Sequence, residues 1–427
     1  MKHILFIAAF LSFGLCAAQA QTSRDDLFAH KAEMGGNYFL YPTEFKKQTT
    51  APAGYKPFYI SHYGRHGSRF HYSEDDWVYL NNVMRSADSA QALTEFGKSV
   101  AKRIQVLADY SHLRAGDLTQ KGIAQHRGIA LRMFRNFPGV FRDSAKVTVY
   151  ASTSGRCIVS MGAFCGELQS LNPKLKISME SSSRLMNFIC YSEPDTIGAY
   201  LARPAWSNAY GKLWNASIHP ERLVKSIFRD SAYAAKNVDA GKFMHNLYFI
   251  TESLQGLDTA VINFDDVWTD DELFGNWAVQ NAWWYGSYGT SPLTEMRGSK
   301  FARNLLNNII SEADKAIAGN GTSATLRFGH DTGILPLVSL MQIEGANARV
   351  TDLAELYKSW TDFRIIPMAA NLQLIFYRSA KKGSPVLVKV LFNENEVKLP
   401  VVCGANEKCP AAPYYDWNKF KEFYGKI

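Results

Sequence analysis

The stretch His62-Tyr63-Gly64-Arg65-His66-Gly67-Ser68-Arg69 sets one imidazole between two guanidinium groups. Arginines that close disfavour a protonated histidine, so the arrangement is costly unless an anion sits among them. Phosphate suits the place, because the planar guanidinium fork matches its oxygens bidentately. A neutral His66 could then attack phosphorus while Arg65 and Arg69 neutralise charge on the transferring group. The bland alternative is a pair of solvated arginines around a loop histidine.

Two later segments point the same way. Arg156 stands at the start of a helical pattern directly after the strand-like Val147–Ala151. Anions bind at such a place in α/β sheets, and an arginine there is otherwise unfavourable against the positive helix end. Arg327-Phe328-Gly329-His330-Asp331-Thr332-Gly333 is again strand then helix. His330 can donate to a phosphate oxygen and Asp331 can give a proton to a departing alkoxide, although Asp331 also reads as a plain helix cap.

These residues need a scaffold, and the periodicities supply one. Phe58–His62, Val147–Ala151, the alternation of Leu175, Ile177 and Met179, and Ala324–Phe328 read as strands. Thr119 caps a helix carrying Ile123, His126, Ala130 and Met133, and Ser154 through Leu168 forms another. Phe301–Ile317 and Ile334–Met341 are helical. Leu372, Leu374 and Phe376 alternate before the turn Lys382-Gly383-Ser384-Pro385, and Val386–Phe392 returns as a closing hairpin. Between about residues 191 and 296 the strand signals fade into aromatic-rich helical sequence. The expected fold is α/β: a central mixed sheet flanked by helices, with a mainly helical domain inserted. The expected division is 1–20 leader, 21–190 and 297–427 core, and 191–296 insertion, with Trp283 and Trp284 as the insertion's own core and a sugar-stacking platform as the alternative.

The combined segments resemble the histidine acid phosphatases, the second branch of the histidine phosphatase superfamily, whose members include phytases and multiple inositol polyphosphate phosphatases. Their Arg-His-Gly-x-Arg-x-Pro motif is matched from Arg65 to Phe70, with His71 at the proline position, and the downstream His-Asp pair is His330-Asp331. The resemblance implies a phosphoglycerate-mutase-like core. It makes His66 the phosphorylated nucleophile and Asp331 the proton donor, with Arg65, Arg69, Arg156 and His330 binding phosphate. Arg156-Cys157 with Ser160, and the run Arg184–Cys190, look like the multiple inositol polyphosphate phosphatase branch, whereas His330-Asp331-Thr332 looks like phytases and sugar-phosphate phosphatases. Inositol polyphosphates are the leading substrate class. A sugar-phosphate phosphatase and a non-catalytic phosphate- or glycan-binding protein are the alternatives.

Composition bounds the rest. The 427 residues carry a formal charge of +8 with 47% apolar and 20% charged residues, which excludes disordered, collagen-like and coiled-coil classes. The positive charge is dispersed, which fits a small anionic phosphate ester better than nucleic acid. No metal or organic cofactor is expected, since arginines supply the positive charge. Lys2, the apolar run Ile4–Leu15 and Ala18-Gln19-Ala20 read as a signal peptide, and so as a periplasmic or secreted protein. No later segment is long enough for a membrane span. His126 reads as a core residue, His62 as a support beneath the loop, and His71 as a residue of the pocket mouth. Cys157 and Cys165 read as buried free thiols, and Cys403 with Cys409 as a local disulfide.

Overall fold

The computed structural model describes residues 22–258, 262–319, 321–402 and 410–426. The expected leader and the expected Cys403–Cys409 disulfide lie outside them. Eight strands form one mixed sheet: β1 (Tyr55–Arg65), β2 (Lys146–Ala151), β3 (Lys176–Ser181), β4 (Ala324–Gly329), β5 (Asn371–Ser379), β6 (Leu387–Phe392), β7 (Asn395–Glu396) and β8 (Tyr414–Asp416). The order is β3-β2-β4-β1-β5-β6-β7, with β8 paired to β6.

The expected strands are present, and β5 and β6 form the expected antiparallel hairpin. The short β7 and β8 carry too few alternating residues to show in the sequence. Strands β3, β2, β4 and β1 run parallel. Register brings Arg65 opposite Gly329, and Ala151 opposite Phe328. Three carboxyl-terminal strand ends thus lie side by side, and the loops leaving them carry His66, His330 and Arg156. In a sheet built this way ligands bind outside those ends.

Each sheet face has its own apolar layer. On one, the helices Gln120–Asn136 and Gly155–Leu171 set Ile129, Met133, Met161 and Phe164 against Val149, Leu326 and Phe328. Thr119 caps the first of these helices, its Oγ1 accepting from the Gly122 N–H. On the other face lie the helices Arg303–Ile317 and Asp331–Leu340. The described residues of 191–296 form helices and no strand. Their Tyr248, Trp277 and Tyr285 belong to the same apolar cluster as Ile334, Leu372 and Phe376. The aromatic stretch is therefore fused to the sheet's core and does not close a core of its own, because the long helix Asp270–Tyr288 is buried on nearly every side.

Candidate active site

His66 follows the last residue of β1 and is completely enclosed. Its N–H donates to Gly329 O at 2.9 Å and its carbonyl accepts from Ala369 N at 2.9 Å, so its backbone is tied to the exit of β4 and the entry of β5. Its Nδ1 lies 2.9 Å from Gly67 O, a carbonyl that can only accept. Nδ1 therefore holds the proton and Nε2 keeps the lone pair. Burial, then the charges of Arg65, Arg69 and Arg156, push the imidazole's pKa well below its ordinary value. The result is a neutral imidazole surrounded by cations.

The loop cannot drift. Ser160 Oγ accepts from Gly67 N at 3.2 Å and Gln125 Oε1 accepts from Ser68 N at 2.8 Å. Gly67 and Gly122 meet backbone to backbone: a Cβ on Gly67 would lie 2.5 Å from Gly122 O, and one on Gly122 would lie 2.3 Å from Ser68 O. This close approach is what the two glycines allow.

Arg65 is fully buried, and its Nη1 donates to Asn37 O and Ile366 O at 2.5 Å each. Burial lowers its pKa to about 10, which still leaves it charged. Arg69 Nη1 donates to Tyr38 Oη and Phe70 O, both at 2.9 Å. Arg156, the second residue of its helix, places Nη2 3.4 Å from His330 Nδ1. The Nε–H groups of all three arginines have no hydrogen-bond partner among the described residues. Buried donors in that state mark a place for an acceptor.

His330 occupies the cap position of the helix Asp331–Leu340, and its ring centroid is 5.6 Å from that of His66. Ser152 Oγ holds its Nε2 at 2.9 Å, which leaves Nδ1 on the Arg156 side. Burial, then Arg156, lowers its pKa to about 4. Tyr63 supports the turn: its hydroxyl donates to Ile189 O at 2.7 Å and accepts from His330 N at 3.2 Å.

Asp331 begins the helix but does more than cap it. Oδ1 accepts from Thr332 N at 2.9 Å, while Oδ2 accepts from Asn37 Nδ2 at 3.1 Å and lies 2.8 Å from Arg65 Nη2. Burial raises its pKa, but Arg65, Arg69 and His330 together outweigh that and hold it below the ordinary value. Without an anion among the arginines it is a carboxylate.

All six expected residues thus converge. The structure adds partners that the sequence did not single out. Asn37 and Tyr38 arrive on the turn at Gly36, whose φ of 54° favours glycine; the Gly35-Gly36 pair was their available signal. His71 is not at the pocket mouth: it is buried, with Nδ1 3.1 Å from Tyr38 Oη and Nε2 2.7 Å from Asp76 Oδ2. It braces the tyrosine that holds Arg69. His62 and His126 are core residues packed on Phe328. Cys157 and Cys165 are buried free thiols. Trp283 and Trp284 line a cavity of about 480 Å³ whose walls include Arg69, Arg156 and Asp331. Among the described residues no cluster of His, Cys, Asp or Glu is arranged to hold a metal ion, and no helix is long and apolar enough to cross a membrane.

The family model of the histidine phosphatase superfamily (branch 2) matches residues 239–393, about a third of the chain. Multiple inositol polyphosphate phosphatase 1 of Homo sapiens is 22% identical over 320 residues, which are 68% of this chain and 63% of that protein. The chain thus spans less than two thirds of that relative's length. Among solved structures, the Bifidobacterium longum multiple inositol polyphosphate phosphatase complexed with inositol hexasulfate superposes with a TM-score of 0.77 at 18% identity, covering 92% of this chain and 97% of that one. The D. castellii phytase gives a TM-score of 0.62 at 15% identity, over 92% and 84% of the two chains. The apo phytase of Hafnia alvei gives 0.54 at 14%, over 88% and 98%.

Proposed function

We propose that this protein is an exported phosphomonoesterase that works through a phosphohistidine intermediate on inositol phosphates. One observation carries the chemistry: three arginines with unspent Nε–H donors surround a neutral His66, and one of them, Arg65, is paired with the carboxylate of Asp331. A phosphate on Arg65, Arg69, Arg156 and His330 would meet His66 Nε2. The nitrogen–phosphorus bond forms as the ester oxygen leaves, taking a proton from Asp331. Water, deprotonated by the resulting carboxylate, then displaces His66 and releases phosphate. Inositol phosphate as substrate draws support from the names of the similar proteins, and export from the leader-like sequence.

The test is release of phosphate from p-nitrophenyl phosphate and an inositol phosphate by wild type and His66→Ala. Activity in the wild type and none in a folded His66→Ala supports the reading. Substantial turnover by His66→Ala, or none by the wild type, removes it.

A further inference from the structure

The wall facing the arginine cradle is built from neutral groups. Tyr72, Tyr210, Phe249, Trp283 and Trp284 line the cavity there. The polar members of that wall are Gln280 and His245, and among the described lining residues the only cations are Arg69 and Arg156 of the cradle itself. Arg114 is not among the lining residues: its guanidinium rests 3.9 Å from the centre of the Phe70 ring.

His245 has a defined tautomer. Asn276 Nδ2 donates to Glu272 O at 2.9 Å, which turns Asn276 Oδ1 toward His245 Nδ1 at 3.1 Å. Nδ1 therefore carries the proton and Nε2 is a bare acceptor. Burial pushes this imidazole's pKa down, so it is neutral. A lone pair repels a phosphate oxygen and receives a hydroxyl hydrogen. The Trp284 ring adds a further aromatic face to the same lining.

From this wall, and resting on the phosphomonoesterase reading above, we infer that the preferred substrate is a polyhydroxylated ring bearing one or few phosphates. The phosphate under attack sits among the arginines, the ring's apolar face lies on the aromatic side chains, and a free hydroxyl meets His245. A fully phosphorylated inositol would press its remaining phosphates against aromatic faces and a lone pair, leaving buried charge unpaired. The enzyme then belongs late in a dephosphorylation sequence, after other phosphatases have stripped the ring, or on sugar monophosphates.

The experiment compares kcat/KM for inositol hexakisphosphate, an inositol monophosphate, glucose 1-phosphate and ringless glycerol 2-phosphate, with p-nitrophenyl phosphate as a control for the site. The monophosphorylated rings should exceed the hexakisphosphate by about tenfold or more, since its remaining phosphates would be buried without partners. The two ring arms show whether inositol or sugar is preferred. Trp283→Ala should lower the ratio of glucose 1-phosphate to glycerol 2-phosphate about tenfold, and Trp283→Phe should retain most of it. Gln280→Lys, which gives the wall a cation, should shift selectivity toward the hexakisphosphate. A wild type that prefers the hexakisphosphate overturns the inference, even if Trp283→Ala does not fold. Failure on every ester, p-nitrophenyl phosphate included, removes the phosphomonoesterase reading instead.

Discussion

At the residue scale the decisive pair is Arg65 and Asp331, 2.8 Å apart. The sequence presented Asp331 as either acid or cap, and an acid must hold a proton that this ion pair takes away. A phosphate docking on Arg65 reverses the balance, because it draws on the guanidinium's charge and brings negative charge to the carboxylate's side. On the proposed mechanism Asp331 is ionised in the free protein and holds its proton in the complex. For an alkyl phosphate whose phosphorylation step limits turnover, the alkaline limb of kcat, which reports the complex, should lie at higher pH than that of kcat/KM. Coincident limbs would show that substrate does not raise Asp331. Asp331→Asn should slow alkyl esters roughly 10²–10⁴-fold while sparing p-nitrophenyl phosphate, whose leaving group departs unprotonated. Equal losses on both would assign Asp331 to positioning.

At the element scale the site is three parallel strand ends and the turns that leave them. This much was legible in the sequence, because buried strands followed by Gly-rich, Arg- and His-bearing turns advertise themselves locally. The Gly67–Gly122 contact was not legible: it joins a loop to a helix start that only the fold brings together. Asn37, Tyr38 and His71 were missed or misplaced for the same reason, since a tyrosine that orients Arg69 from 31 residues away leaves no periodic trace. The aromatics at 283 and 284 were read as local core because tryptophans usually are, and it takes the packing of Asp270–Tyr288 to show which side faces the cavity. Gly122→Ala should shift the His66 loop, costing about 1–3 kcal/mol of stability and about 10²-fold in rate. Gly162→Ala, in an exposed helical position with nothing within 4 Å of the added Cβ, should stabilise by roughly 0.5–1 kcal/mol. Calorimetry with steady-state kinetics checks both, and a silent Gly122→Ala would contradict the close-packed loop.

For the whole molecule, burying so many neutral imidazoles has an acid cost. His62 and His126 are completely enclosed, and burial lowers each pKa from 6.5 to about 3. The unfolded chain binds protons on these groups below about pH 6.5 and the folded chain does not, so stability is intact above that value. Each group then removes ~1.4 kcal/mol per pH unit as the pH falls toward about 3. Asp331, also held low, adds its loss only at the acid end of that range. The melting temperature should therefore drop with increasing steepness between pH 6.5 and 4, and His126→Leu should flatten the drop. An unchanged slope in that variant would mean His126 is not kept neutral.

The central claim is a covalent bond between His66 Nε2 and phosphorus. Acid-labile, base-stable label trapped during turnover of a radiolabelled phosphate ester, then located by peptide mass spectrometry, tests it directly. The label should sit on His66 and vanish in His66→Ala. Label on Ser68, or single turnovers that release phosphate with no adduct, would contradict it.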